Sequence, residues 1–275
     1  MAEGDRVVVV TGLGGMGLAI ARRLGPGSTL VLADVNRSAL SEAADALRIE
    51  GQRVVEQPTD VSDAGSVIAL ASAAMKVGRV DTLVHTAGLS PVQASVGAIL
   101  RVDLLGTALM LDAFASAIAP GGAGVVIASS AGSMFPLDPD LERRLATTPT
   151  ATLLDLPELS ESALGNPGIA YGMAKRANQL RVRAASMAWG RRRARVNSIS
   201  PGIISTPMGR AELEGPSGEF MQSMVDGSGT GRMGTPDDIA AAADFLTGTQ
   251  STFVTGTDLL VDGGAVAAVL FKVAE

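Results

Sequence analysis

Cysteine is absent from the 275 residues, which excludes disulfides and thiolate chemistry. Aromatic residues make up only 3%, with one tyrosine, Tyr171, and one tryptophan, Trp189. So few rings argue against a surface that stacks sugars or bases. Histidine occurs once, at His85, and no metal site is expected. There is no basic excess: 22 Lys and Arg stand against 28 Asp and Glu, for a net charge of −6. No nucleic-acid partner is therefore expected, and the one basic cluster, Arg191-Arg192-Arg193 with Arg195, reads as a solvated turn. No run of 18 apolar residues lacks glycine or charge, so no membrane span is expected. The polar, acidic stretch from Met1 to Asp5 does not read as a secretory signal, and the expected location is cytoplasmic.

What is abundant is small and apolar. Hydrophobic residues reach 47% and glycines number 33. Short apolar runs at Val7–Val10, Thr29–Ala33, Val54–Glu56, Thr82–His85, Val125–Ala128, Val196–Ser200 and Leu259–Val261 read as strands. Between them, Met16–Leu24, Ser38–Ile49, Ala64–Val77, Ala98–Ala119, Ala170–Arg191 and Pro236–Leu246 carry apolar residues at helical spacing. Repeated β-α units with right-handed crossovers predict one α/β domain over residues 1–275. Its sheet would be doubly wound, parallel and seven-stranded (Rossmann-like), with helices on both faces. Two stretches break the rhythm: the proline-rich Ser133–Pro167, and Pro201–Gly234, which reads as a mobile segment.

Thr11-Gly12-Leu13-Gly14-Gly15-Met16-Gly17 follows the first strand and opens the first helix. A glycine pattern in that context fits a dinucleotide pyrophosphate held on helix N-terminal amides. Asp34, followed by Val35, ends the second strand, where a carboxylate takes the adenosine ribose hydroxyls. A 2′-phosphate about 4 Å from it would meet roughly 4 kcal/mol of repulsion at an effective dielectric near 20. Arg37 lies within reach of such a phosphate, but the glycine loop holds no Lys or Arg, so NAD is the expected cofactor.

Tyr171 and Lys175 stand one turn apart on a predicted helix and share a face. A phenol of pKa about 10 is a poor base at neutral pH. An ammonium about 5 Å away contributes roughly 3 kcal/mol, or about two pKa units, toward making Tyr171 a usable proton acceptor. An oxidised nicotinamide adds a second positive charge.

Over nearly its whole length the chain resembles the short-chain dehydrogenase/reductase family. The matching pieces run in family order. They are the Thr11–Gly17 loop, Asp34, Asp60-Val61, Ala87-Gly88, Ser129, Tyr171-Gly172-Met173-Ala174-Lys175, Pro201-Gly202-Ile203-Ile204-Ser205-Thr206 and Asp262-Gly263-Gly264. The resemblance implies roles. Ser129, chosen over Ser130, binds the substrate oxygen and Tyr171 exchanges the proton. Lys175 binds the nicotinamide ribose and depresses the tyrosine pKa. Gly12, Gly14, Gly15, Met16 and Gly17 hold the pyrophosphate. Asp60 and Val61 border the adenine, Ala87 and Gly88 line the cofactor, and Pro201, Gly202, Ile204 and Thr206 lie at the carboxamide end.

Three departures stand out. The glycine loop is one residue short, which predicts a tighter turn. The family's Asn-Asn-Ala-Gly reads His85-Thr86-Ala87-Gly88, and its catalytic Asn reads Asp103 in Asp103-Leu104-Leu105-Gly106. Asp103 is thereby a candidate for the proton relay. His85 and Asp103 either pair with one another or each satisfy local backbone groups. The interval from Ser129 to Tyr171 is much longer than in the family, with an insertion at about 137–166 expected over the active site. A similar insertion occurs in bacterial 3α-hydroxysteroid dehydrogenase/carbonyl reductases, which the chain also resembles at Ala188-Trp189-Gly190 and Arg232-Met233-Gly234. The insertion's leucines (141, 145, 153, 154, 156, 159 and 164) either line a bulky substrate pocket or pack on the body or a neighbouring subunit.

The expectation is an NAD(H)-dependent oxidoreductase acting on a small-molecule secondary alcohol or ketone. No anion anchor guards the substrate loops, since Arg210 and Arg232 read as surface residues. With Met208, Phe220, Met221 and Met224 in the mobile segment, the substrate is expected to be apolar and possibly steroid-like. Two rival readings are a nucleotide-sensing regulator without turnover and an epimerase or dehydratase. The intact Ser-Tyr-Lys set argues against the first, and the lack of a larger C-terminal substrate domain against the second. The apolar stretch Ala265–Phe271 predicts a homodimer or homotetramer.

Overall fold

The computed structural model describes residues 5–271. Seven strands form one parallel sheet: β1 (Arg6–Thr11), β2 (Thr29–Ala33), β3 (Arg53–Glu56), β4 (Arg79–His85), β5 (Ala123–Ile127), β6 (Arg195–Pro201) and β7 (Asp258–Val261). Their order is β3-β2-β1-β4-β5-β6-β7. The chain first steps outward from β1, then returns to lay β4 on its other side. That reversal opens a crevice at the carboxyl ends of β1 and β4, where open α/β sheets bind ligands.

The strands are apolar on both faces because both faces are covered. Val7 and Val9 of β1 point to one side with Leu83 and Val126, beneath helices Ala64–Val77, Gly106–Ala117 and Pro167–Gly190. Val8 and Val10 point to the other with Leu30, Leu32 and Ile127, beneath helices Gly15–Leu24, Arg37–Ile49 and Pro236–Thr247. Gly124 of β5 admits the fully buried Trp189, since a Cβ there would lie 2.6 Å from the indole. The indole nitrogen donates to the Leu111 carbonyl at 3.1 Å.

The helix starts follow from side-chain caps, each contributing about 1 kcal/mol. Asn36 accepts from the amides of Ser38 and Ala39. Thr235 and Asp238 form a reciprocal capping box, and Arg232 pairs with Asp238 at 2.8 Å. No helix among the described residues is long and apolar enough to cross a membrane.

One expectation needs correction. The single helix expected over Ala98–Ala119 is broken into Val96–Ile99, a π-helical turn at Leu100–Leu105 and Gly106–Ala117. Its apolar spacing runs through the break, so periodicity could not reveal it. The insertion's leucines pack on the body, one of the two alternatives for them, in a cluster that also takes in Leu89 and Tyr171 of the cleft. Leu145, Leu153, Leu159 and Leu164 are buried against Leu100, Leu104, Ala108, Ala177 and Leu180. The buried guanidinium of Arg181 donates to the carbonyls of Leu145 and Thr148, both at 3.0 Å, and Glu142 pairs with Arg176. Prolines 139 and 157 begin short helices within this segment, and Pro167 begins the 24-residue helix that follows it.

Candidate active site

The crevice holds a cleft of about 520 Å³, a size typical of small-ligand sites. Its walls include Gly12, Gly14, Gly15, Met16, Gly17, Asp34, Val35, Asp60, Val61, Ala87, Gly88, Asp103, Tyr171, Lys175 and Thr206. Ser129 lies two residues beyond β5, caps the short helix Ser130–Ser133 by accepting from the Ala131 amide at 3.2 Å, and is not in the cleft lining. Pro201, Gly202 and Ile204 are not in the cleft lining. A Cβ at Gly202 would lie 2.7 Å from Asp262, so this glycine permits the approach of the β6 and β7 ends. Ile204 is buried and bridges to Gly234. Met208, expected on the substrate side, also lines the cleft, as do Leu13, Thr59, Thr86, Leu89, Gln93, Val102 and Pro207, which escaped sequence reasoning. They carry no motif of their own; position after a strand or beside a glycine loop was the only signal.

The glycine loop is built for close approach. Gly12 has φ of 81°, and a Cβ there would lie 2.5 Å from the Ala87 nitrogen. A Cβ at Gly17 would lie 1.9 Å from the Gly12 oxygen, so only glycine lets the helix start fold back on the loop. Gly14 has nothing within 4 Å of its Cβ position, and the helix it precedes has no side-chain cap. An uncapped helix start at an open glycine fits a pyrophosphate. The Thr86 hydroxyl donates to the Thr11 and Gly12 carbonyls, at 2.9 and 2.6 Å, and ties the loop to β4. Asp34 is fixed by two amides: Leu13 donates to its Oδ2 at 2.8 Å and Asn36 to its Oδ1 at 2.9 Å. These contacts hold the carboxylate at the far end of the cleft and also brace the shortened loop.

At the near end, Lys175 Nζ lies 5.3 Å from the centre of the Tyr171 ring. The helix carrying both begins at Pro167 with Asn166 as its cap. Lys175 forms a buried ion pair with Asp103, Nζ to Oδ1 at 2.9 Å. The Asp103 side chain is wholly inaccessible and that of Lys175 is 6% exposed. The Leu89 amide also donates to the carboxylate at 3.1 Å. Gly88 makes room: a Cβ there would lie 2.6 Å from Asp103 Oδ1 and 3.2 Å from Lys175 Nζ. Asp103 sits in the π-helical turn, a distortion common at functional positions. Its backbone carbonyl accepts from the Thr107 hydroxyl at 2.8 Å and from Asn178 Nδ2 at 2.9 Å.

His85 does not pair with Asp103. Its Nδ1 shares a 2.7 Å hydrogen bond with the Thr11 hydroxyl, and its Nε2 is buried without a partner. On β4 the ring lies beside Thr11 of β1, while Asp103 is claimed by Lys175 and Leu89. Burial, with the charge of Lys175 as a lesser cause, pushes His85 down to about 3, so it is neutral.

The phenol departs from expectation. Burial raises the Tyr171 pKa above the ordinary value; Asp103 and Glu212 add to the rise, and Lys175 and the Ser129 hydroxyl oppose it. The expected depression is overturned chiefly by burial, which outweighs the charge of Lys175, with Asp103 and Glu212 adding to the rise. For Lys175 itself, burial is the largest influence and pulls downward, but Asp103 and Tyr171 outweigh it and the pKa is raised. Glu212 escaped sequence reasoning. It sits on helix Pro207–Leu213 and accepts from the fully buried Ser90 hydroxyl at 2.6 Å. Thr206 caps that helix, accepting from the Gly209 amide at 3.0 Å.

Comparison with known proteins agrees with this geometry. The family model described as short chain dehydrogenase matches residues 6–137, and the one described as Enoyl-(Acyl carrier protein) reductase matches residues 151–266. Short-chain dehydrogenase/reductase bsc3 of Alternaria brassicicola is 42% identical over 262 residues, covering 94% of this chain and 95% of that protein. This chain belongs to the short-chain dehydrogenase/reductase family. Other relatives include the D-threitol dehydrogenase of Mycolicibacterium smegmatis, 32% identical and covering 94% of this chain and 92% of that one. The 3-alpha-hydroxysteroid dehydrogenase/carbonyl reductase of Comamonas testosteroni is 32% identical, covering 77% of this chain and 83% of that one. Among solved structures, a short-chain dehydrogenase/reductase of Serratia marcescens shares the fold with TM-score 0.74 at 22% identity, covering 96% of this chain and 98% of that one. As a family member the chain is an oxidoreductase whose site takes a nicotinamide cofactor. The gap between the two model matches falls inside the insertion.

Proposed function

We propose that this short-chain dehydrogenase/reductase uses NAD(H) to interconvert a secondary alcohol and a ketone, with Tyr171 exchanging the proton on the substrate oxygen. One observation carries the reading. A single cleft runs from an uncapped helix start and the Asp34 carboxylate to the pair of Tyr171 and Lys175. NAD is favoured over NADP because Asp34 is held in place by two amides and would repel a 2′-phosphate. When bound, the nicotinamide supplies or accepts the hydride. The chain's own residues bind and orient. Gly12 to Gly17 receive the pyrophosphate, Asp34 and Val35 the adenosine ribose, and Asp60 and Val61 the adenine edge. Ala87, Gly88 and Lys175 adjoin the nicotinamide ribose, while Thr206 sits at the carboxamide end, with Ile204, Pro201 and Gly202 behind it and outside the cleft lining. Ser129 and Tyr171 hold the substrate oxygen, which fixes the reacting carbon against the hydride position.

The substrate is uncharged and largely apolar. Leu89, Pro207 and Met208 line its side of the cleft, and Glu212 beside Tyr171 disfavours an anion. Relatives are named for threitol and for a 3-alpha-hydroxysteroid; the apolar walls favour the steroid-like end of that range. A homodimer or homotetramer is the working form, since Leu270 and Phe271 are 58% and 75% exposed. The test is initial rates with NADH and NADPH against ketones of graded bulk and against keto acids. Faster turnover with NADH and with uncharged ketones is expected. Tight NAD binding without turnover would instead identify a nucleotide-sensing regulator.

A further inference from the structure

The buried pair of Lys175 and Asp103 has no counterpart in the site as the sequence resemblance implies it, where an asparagine stands at this position. The groups facing Tyr171 and Lys175 come from three elements. Asp103 comes from the π-helical turn, Glu212 from helix Pro207–Leu213, and His85 from β4. One residue along the helix, Arg176 is occupied by Glu142. His85 is neutral, so the set around the phenol is one cation against two carboxylates. Asp103 Oδ1 is 2.9 Å from Nζ, and Nζ is 5.3 Å from the ring centre. The carboxylate therefore lies within about 8 Å of the ring, close enough for its charge to be felt through a low-dielectric path. The Asp103 carbonyl already accepts two protein donors, the Thr107 hydroxyl and the Asn178 amide. The carboxylate, not the carbonyl, is the part of Asp103 that meets the catalytic lysine.

We propose that Asp103 is a positioning residue that neutralises Lys175 from below, so that Tyr171 is kept as a proton donor and the site is set for carbonyl reduction at neutral pH. The inference rests on the function proposed above. In the favoured direction the substrate carbon gains a hydride from the reduced nicotinamide cofactor, which leaves oxidised. The carbonyl oxygen takes the Tyr171 proton, and the phenolate left behind is held by Lys175 until solvent returns a proton. The reverse direction needs the phenolate before chemistry begins. Alcohol oxidation therefore rises about tenfold per pH unit through the alkaline range, while reduction is flat near neutrality.

Because Tyr171 is the only tyrosine, its ionisation can be read directly from phenolate ultraviolet absorbance in the cofactor-free protein. The wild type is expected to titrate above the ordinary value of about 10. Asp103→Asn is expected to lower the midpoint by about one pH unit, and Glu212→Gln by less. The pH at which alcohol oxidation reaches half its plateau should move down by the same amount in D103N. A wild-type midpoint at or below the ordinary value of about 10 would overturn the proposal, and so would an unchanged midpoint in folded D103N. Burial alone raises the wild-type midpoint, so if D103N does not fold the same titration of Asp103→Ser decides. These optical titrations need neither substrate nor cofactor. Absence of turnover therefore counts against the proposed function, and an ordinary titration counts against Asp103.

Discussion

Lys175 and Asp103 form an ion pair of 2.9 Å in which neither side chain is more than 6% exposed. Breaking such a pair from one side leaves a buried charge alone and costs about 3–5 kcal/mol. Lys175→Met in the wild-type background should therefore lose about that much stability in urea. In a D103N background the same change should cost clearly less, because no carboxylate is stranded. The coupling in that double-mutant cycle is the measurement, and additive losses would mean that the pair is not formed in solution.

His85 carries a separate prediction about acid. Its folded pKa, about 3, lies below the ordinary value of 6.5. Below pH 6.5 the unfolded chain takes up a proton that the folded ring refuses. The stabilisation is thus fully present above 6.5 and declines as pH falls toward 3, at roughly 1.4 kcal/mol per unit. His85→Asn removes this titration while leaving a side chain able to meet Thr11. Its stability should fall less steeply between pH 6.5 and 4 than that of the wild type, and equal slopes would show that the ring is protonated in the fold.

The insertion makes a claim about packing rather than gating. Leu145 and Leu153 are fully buried against the body. Leu145→Ala and Leu153→Ala should each lose about 2–5 kcal/mol of stability. Substrate KM should stay near wild type when assayed well below the melting point. A large change in KM with unchanged stability would instead mark the segment as part of the substrate pocket.

On the proposed reading, Asp34 selects NAD over NADP. Asp34→Asn removes the charge that a 2′-phosphate would meet, and the ratio of kcat/KM for NADPH over NADH should rise at least tenfold. Some loss with both cofactors is expected, since the amide cannot accept from both Leu13 and Asn36 as the carboxylate does. No change in the ratio would place the ribose elsewhere.

How much of this was legible in the sequence varies with the kind of signal. All seven strands were, because a strand covered on both faces reads as an unbroken apolar run. The glycine loop and the pairing of Tyr171 with Lys175 were visible because chemistry fixes their spacing. The π-helical turn at Leu100–Leu105 was not, since one extra residue in a turn leaves the apolar pattern intact. That turn positions Asp103, so its partner could not be read either. The two unusual residues, His85 and Asp103, suggested one another because both replace asparagines, yet each found a different neighbour. The leucines of the insertion showed that a face is buried, but not what buries it. The direction of the Tyr171 shift was misjudged for a related reason: a lysine one turn away is visible in sequence, but the burial that outweighs it, and the carboxylate that adds to the rise, come from the packing of distant elements.

The central claim is that Tyr171 serves hydride transfer between the nicotinamide and a carbinol carbon. The most direct test follows the label from deuterated NADH into the product of a reducible ketone, in the wild type and in Tyr171→Phe. The account predicts deuterium on the product carbinol carbon in the wild type, a rate lower by roughly 10²–10⁴-fold in the variant, and NADH affinity little changed. Turnover without label at that carbon, or undiminished turnover in the phenylalanine variant, would contradict it.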